Sequence, residues 1–209
     1  MIDDKINSTR VTGIVLAAGL SQRMGQPKQL LKLGSQTLLS QVMLNAIRSK
    51  LDQVIVVVSP QIEQQATQIL ESLDKKVLIV VNTDPVRGIS SSIKLGLEEV
   101  SEGARGVMVL LGDQPLVSTE VIDKLIDTFD LDPKKIIVPT YNGKDGNPVI
   151  FPAESIGDLR TISGDKGAKN IIYNHLDMVI KVEVGDLGSM EDIDTPEDYK
   201  NILARFMER

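Results

Sequence analysis

The sequence predicts an α/β fold: a doubly wound, mostly parallel sheet with helices on both faces and a small β excursion near residues 141–151. Three observations lead there. Short runs rich in Val and Ile recur and are apolar at nearly every position, as in strands covered on both faces. Longer segments with helical spacing lie between them. The two kinds alternate up to about residue 140, which argues repeated strand–helix–strand units.

The predicted strands are VTGIVLA (11–17), VIVVV (54–58), VLIVV (77–81), GVMVLL (106–111) and KIIVPT (135–140). The first predicted helix is TLLSQVMLNAIRS (37–49), with Leu38, Val42 and Ala46 on one face. QIEQQATQILESL (61–73), SSSIKLGLEEV (90–100) and STEVIDKLIDTF (118–129) follow. Ser118 or Thr119 suits the N-cap of the last, and Glu120 suits its first turn. The rhythm then changes. YNGKDGNPVIF (141–151) places turn residues between two extended apolar pieces, a hairpin or loop excursion. SGDKGAKNIIYNHL (163–176) opens with glycines and continues as a short helix, and DMVIKVEV (177–184) reads as a strand. In DIDTPEDYKNILARF (192–206), Thr195 is placed to cap a helix that opens on Pro196, with Glu197 and Asp198 in its first turn. No repeat, low-complexity tract or linker divides the chain, so residues 1–209 are expected to form a single domain.

Composition narrows the functional classes. A chain of 209 residues can bury one substantial core. With 42% hydrophobic and 25% charged residues it reads as an ordinary soluble globular protein. A net charge of −6 argues against a nucleic-acid partner, so an anionic ligand would need a local positive site. The chain has no cysteine, which excludes disulfides and thiolate metal sites and suits the reducing cytoplasm, the expected location. MIDDKINSTR has no apolar signal core, and no run approaches the roughly 18 apolar residues of a membrane span. Aromatic residues are 3% and Trp is absent, so an aromatic base-stacking platform is not expected.

The first strand ends at about Leu16, and ligands of open parallel sheets bind beyond such strand ends. Ala17, Ala18 and Gly19 are small enough for backbone N–H groups to approach an anion, and Gly25 adds a flexible position. Arg23 can fork onto phosphate oxygens, and Lys28 adds a flexible point charge. The loop is neither a Walker A motif nor a dinucleotide fingerprint. On these residues alone, a solvated loop with incidental charges explains it equally well. Asp113, directly after a strand and Gly112, sits where a Mg²⁺ ligand belongs but also suits a turn or cap. Asp192 and Asp194 offer a second carboxylate, or merely a capping turn. Asn82 ends the third strand, and Gly88, Ser90 and Ser91 open the next helix, where hydroxyls either cap or bind a ligand. His175, the sole histidine, reads as a helix-end residue, and the charged DKK turn (74–76) is assigned no role.

The string LAAGLSQRMGQPKQLL resembles the signature of the MobA-like nucleotidyltransferases through Leu16, Ala17, Ala18, Gly19, Ser21, Arg23, Met24, Gly25 and Lys28. GDQP (112–115) and DIDTPED (192–198) resemble the family's later motifs, and the resemblance spans roughly residues 12–205. It implies a Rossmann-like, glycosyltransferase-A-like fold whose first loop wraps a triphosphate. It further implies Mg²⁺ on Asp113 with Asp194, and a base and ribose wall from Asn82, Gly88, Ser90 and Ser91.

Ala18 in Leu-Ala-Ala-Gly is similar to the cytidylyl-transferring, MocA-like branch, which implies CTP as donor and molybdenum cofactor as acceptor. Asn147 and Pro148 in GNPVIF, and Gly164, Asp165, Gly167 and Lys169 in GDKGAK, resemble acceptor-side motifs. They depart from the pattern at Asn147, where His is frequent, and at Lys169, where Arg is frequent. A recipient molybdoenzyme or its chaperone is the implied protein partner. GTP, a sugar or alcohol phosphate acceptor, and a non-catalytic role in nucleotide or cofactor binding stand as alternatives.

Overall fold

The computed structural model describes residues 10–71, 77–166, 168–185 and 191–207. The charged turn at 74–76 and the N-terminal residues 1–9 lie outside the described residues.

The fold begins with the central strand β1 (Val11–Ala17), a short hairpin of β2 (Lys32–Leu33) and β3 (Gln36–Thr37), and helix α1 (Leu38–Arg48). The pairs β4 (Gln53–Val58) and α2 (Glu63–Glu71), then β5 (Val77–Val81) and α3 (Ile89–Glu98), carry the sheet outward. The chain then returns as β6 (Gly106–Leu111), α4 (Thr119–Leu131) and β7 (Ile136–Tyr141). Next come β8 (Lys144–Asp145), β9 (Val149–Pro152), α5 (Ile156–Leu159), α6 (Lys169–Asn174), β10 (Val179–Gly185) and α7 (Pro196–Met207).

The strand order is β10-β7-β9-β6-β1-β4-β5, with β8 on the free end of β7. Strand β1 pairs in parallel with β4 on one side and β6 on the other. The chain therefore reverses its direction of travel across the sheet at β1 and β6, which makes the gap between their carboxyl ends the topological switch point.

Alternate residues of each strand feed opposite cores. Val54, Val56 and Val58 face the cluster built with Leu39, Met43 and Ile126, while Ile55 and Val57 face Ile93 and Leu97. Helices α1, α2, α4 and α7 cover the first face, and α3, α5 and α6 cover the second. Each fully buried Val or Ile contributes roughly 1.5–3 kcal/mol, so these runs account for much of the driving force.

Two helix starts follow their local sequence. Val121 N–H donates to Ser118 Oγ at 3.4 Å, and Asp198 N–H donates to Thr195 Oγ1 at 3.2 Å. The segment at 141–151 contains the expected hairpin excursion and goes beyond it. Its first half makes the small hairpin of β7 with β8, but its second half, β9, is an interior strand antiparallel to both β6 and β7. Val149, Ile150 and Phe151 are buried on both faces of the sheet, which favours insertion over an exposed loop.

Candidate active site

The loop after β1 folds over the switch point. It contains two 3₁₀ turns, at Gln22–Met24 and Lys28–Leu30. Ser21 (φ 51°) and Gly25 (φ 66°) take left-handed conformations at the two ends of the first turn. Ser21 Oγ accepts from the Lys28 N–H at 3.1 Å, which closes the loop on itself. The buried Gln29 donates through Nε2 to the carbonyls of Ala17 and Gly19, both at 3.1 Å. These bonds occupy two carbonyl oxygens that would otherwise repel an anion. Nothing local in the sequence marks Gln29, because a glutamine after a lysine has no signature of its own.

Gly112 carries the end of β6 hard against β1. Its N–H donates to Leu16 O at 2.9 Å, and a Cβ on it would lie 2.8 Å from the same oxygen. Only glycine allows this approach, and it sets Asp113 beside the loop.

Lys28, only 8% exposed, reaches Asp113 Oδ2 at 2.6 Å and Asp194 Oδ1 at 2.9 Å. Arg23 Nη2 holds the other Asp194 oxygen at 2.8 Å. Asp194 arrives from the far end of the chain. Its own N–H and that of Thr195 donate to Asp198 Oδ2, at 3.1 and 2.7 Å, as α7 begins. Asp194 thus belongs to a capping turn and faces the cleft as well.

Protonation follows the geometry. Burial works to lower the Lys28 pKa, but the Asp113 and Asp194 carboxylates outweigh it and hold the ammonium above its ordinary value. The Lys28 hydrogen bond keeps Asp194 below the usual carboxylate range, with Arg23 adding to it. Asp192 is shifted the other way. Although Asp192 is an exposed residue, burial of its carboxyl, then Asp113 and Asp194, push it up.

These groups line a cleft of about 540 Å³, within the usual size of small-ligand sites. Leu16, Ala18, Gly19, Ser21, Arg23 and Lys28 of the first loop line it, as do Gly112, Asp113 and Asp194, together with Gly88, Ser92 and Asp165. Gly88 (φ 87°) is pressed by the turn holding Asp165, since a Cβ there would lie 2.8 Å from the Gly164 carbonyl carbon.

Several expected residues stand back from the cleft. Ala17 and Gly25 shape its loop without lining it. Asn82 is buried and donates to Ser91 Oγ and Ser92 Oγ, both at 2.9 Å, while Ser91 Oγ donates to Gly88 O at 2.8 Å. Asn82 and Ser91 therefore bond to each other and to their neighbours rather than lining the cleft, the buried Ser90 does not line it either, and Ser92 takes the lining position. The cis Asn147–Pro148 bond lies elsewhere, with Asn147 O accepting from the buried Tyr141 hydroxyl at 2.7 Å. Lys169 is exposed at the start of α6. Gly167 lies outside the described residues.

The residues suit a divalent cation. The two carboxylates converge on a point where a cation, the Lys28 ammonium, already sits. Among the described residues no group of three or more metal-binding side chains exists. A hard ion held by two carboxylates and completed by phosphate and water oxygens fits such a sparse donor set.

A rim of this kind, at the switch point of a parallel sheet, suits transfer of a nucleotidyl group from a nucleoside triphosphate. Comparison with known proteins agrees. Residues 13–179 match the MobA-like NTP transferase domain, and the chain belongs to that family of nucleotidyltransferases. It is 30% identical over 202 residues to the purine catabolism protein PucB of Bacillus subtilis, covering 93% of this chain and 96% of that protein. It is 28% identical over 202 residues to the nicotine blue oxidoreductase of Paenarthrobacter nicotinovorans, covering 92% and 96%. Among solved structures, Rv0371c of Mycobacterium tuberculosis superposes with a TM-score of 0.83 at 31% identity, covering 94% of this chain and 98% of that one. Rv0371c is also known as a complex with manganese, matched at 29% identity with a TM-score of 0.76 over 94% and 99% of the two chains. No described helix is long and apolar enough to cross a membrane.

Proposed function

We propose that this protein transfers CMP from CTP to the terminal phosphate of molybdenum cofactor, as a MocA-like cytidylyltransferase, and releases pyrophosphate. The observation that carries the transfer is the meeting of Lys28, Asp113 and Asp194 beside the loop that follows β1. The choice of CTP rests on Ala18, which lines the cleft at the second small position of Leu-Ala-Ala-Gly. A methyl group there narrows the space open to a purine.

An oxygen of the acceptor phosphate forms a bond to the α-phosphorus of CTP, and the bond from that phosphorus to the bridging oxygen of pyrophosphate breaks. A phosphate monoester is mostly dianionic near pH 7, so no general base is needed. Asp113 and Asp194 would hold Mg²⁺, which supplies neutralisation of charge across the phosphates when bound. Arg23 and Lys28 lie along the same rim, where they stabilise charge growing on the transferred and departing groups. The amides of residues 17–19 hold the triphosphate in place. Asp165 and the neighbouring Gly164 are placed to shape the acceptor side.

The test is pyrophosphate release from CTP, GTP, ATP or UTP with molybdenum cofactor and Mg²⁺. Release with CTP above the other three supports the reading, and release with GTP alone overturns the base assignment. The name of the Paenarthrobacter relative favours one other reading, an oxidoreductase on this fold. That activity would consume an electron donor and release no pyrophosphate.

A further inference from the structure

The carboxylates that converge on Lys28 come from segments some 80 residues apart, and their spacing is not set by the sheet. Asp113 follows β6 after the single residue Gly112, but Asp194 sits on a stretch of irregular chain before α7. A ligand pair is useful only if both members are held within a fraction of an ångström, so something must dock that stretch.

Beside the ion pairs of Asp194 with Lys28 and Arg23 and of Glu191 with Arg205, two contacts tie the stretch directly to the Asp113 segment. Ile193, fully buried, donates its N–H to Asp113 O at 3.3 Å. One residue to either side of that contact, Gln114 and Asp192 meet: Gln114 Nε2 donates to Asp192 Oδ1 at 2.7 Å. Gln114 is 3% exposed and follows Asp113 immediately, while Asp192 precedes Asp194 by two residues. Neither side chain lines the cleft. The bond is charge-assisted, and such bonds are shorter and stronger than neutral ones.

We propose that Gln114 and Asp192 form a latch that fixes the separation of Asp113 and Asp194, and that both are positioning residues for divalent cation binding. This inference rests on the metal role proposed for Asp113 and Asp194. The geometry is specific: the latch joins the neighbour of one ligand to the near-neighbour of the other, behind the face they present to the cleft. Loss of the latch leaves both ligands in the sequence but frees the Asp194 segment to drift.

The test is a titration with Mn²⁺, followed by electron paramagnetic resonance, on the full-length protein with and without CTP. Q114E sets two carboxylates against each other and is expected to weaken Mn²⁺ binding at least tenfold. Q114E/D192N restores a hydrogen bond with donor and acceptor exchanged, keeps the native net charge, and is expected to return affinity to within about threefold of native. D192N alone keeps an oxygen acceptor for Gln114, and its affinity is expected to lie close to native, whereas D192A behaves like Q114E. Melting temperatures separate lost docking from lost folding, because a purely structural defect would lower them without this pattern of rescue. If Q114E binds Mn²⁺ like the native protein, or Q114E/D192N stays as weak as Q114E, the latch is refuted while the functional reading stands. If the native protein fails to bind Mn²⁺ even with nucleotide, the metal reading falls and the latch falls with it.

Discussion

Lys28 lies 2.6 Å from Asp113 and, through the same ammonium, 2.9 Å from Asp194. Under the proposed function, a lysine of the first loop thus fills the place a divalent cation would take between the two carboxylates. Lysine and metal then compete unless a triphosphate offers the ammonium other partners. Without nucleotide, displacing Lys28 leaves a nearly buried charge unpaired, which is costly. Metal and nucleotide are therefore expected to bind with strong mutual support. In a thermal-shift experiment, Mg²⁺ and CTP together should raise Tm by clearly more than the sum of their separate effects.

Replacing Lys28 by Met should expose the other side of that competition. Mn²⁺ affinity without nucleotide should rise, because the competing cation is gone. Catalysis should fall by about 10²–10³ in kcat/KM, the usual cost of one well-placed charge donor. Parallel measurement of Mn²⁺ binding and turnover checks both signs.

Asp113→Asn should lower kcat by about two orders of magnitude or more, with a far-ultraviolet circular dichroism spectrum like that of the native protein. The change removes a charge at the rim and leaves the cores untouched. Chelation by EDTA should abolish activity, and added Mg²⁺ should restore it in the native protein far better than in this variant.

Gly112→Ala tests the approach of β6 to β1. The added methyl would meet the Leu16 carbonyl oxygen at 2.8 Å and the Ala17 Cβ at 3.0 Å. The backbone must give way, at a cost of about 1–3 kcal/mol measurable by urea unfolding. Asp113 moves with it, so turnover should fall further than stability alone explains.

Stability should fall in acid. Asp194 is held below its ordinary value of 3.8 by the Lys28 hydrogen bond, and Asp198 is held below the same value by the Thr195 hydroxyl. A carboxyl lowered in the folded state adds stability that is fully present above its unfolded pKa and is lost as pH falls through its folded pKa. The window for both therefore lies at and below about pH 4. Asp192 has the opposite sign. Burial raises its pKa, so its ionisation costs stability, and that cost disappears as pH falls toward 3.8. Asp192→Asn should accordingly raise Tm slightly at neutral pH, where Asp198→Ala should lower it. A series of melts from pH 3 to 8 tests all three directions.

Much of this was legible in the sequence because it is local. Val54 to Val58 form an unbroken apolar run, and a run of that kind has few places to go except the middle of a parallel sheet. Thr195 and Pro196 open α7 by chemistry that acts over a single turn. Features that depend on distant partners were harder to read. Strand β9 resembles the end of a loop until Ile150 is seen paired with both Met108 and Ile137. Asn82 and Ser91 carry polar groups suited to a ligand, yet they bond each other and do not line the cleft. Gln29 braces the loop with no local signature, and Gln114 lies inside the GDQP motif, but its bond to Asp192, 78 residues away, could not be read from that motif. Asp194 had two readings in the sequence, a capping turn from its neighbours and a metal ligand from the family resemblance, and the structure gives it both the turn and a place in the cleft.

The most direct measurement is a crystal structure of the protein with CTP and Mn²⁺, using anomalous scattering to locate the metal. The expected result is a manganese peak between Asp113 and Asp194, the triphosphate along residues 17–28, and Lys28 turned from the carboxylates to a phosphate oxygen. A nucleotide bound away from that rim, with Lys28 still spanning Asp113 and Asp194, would contradict the account.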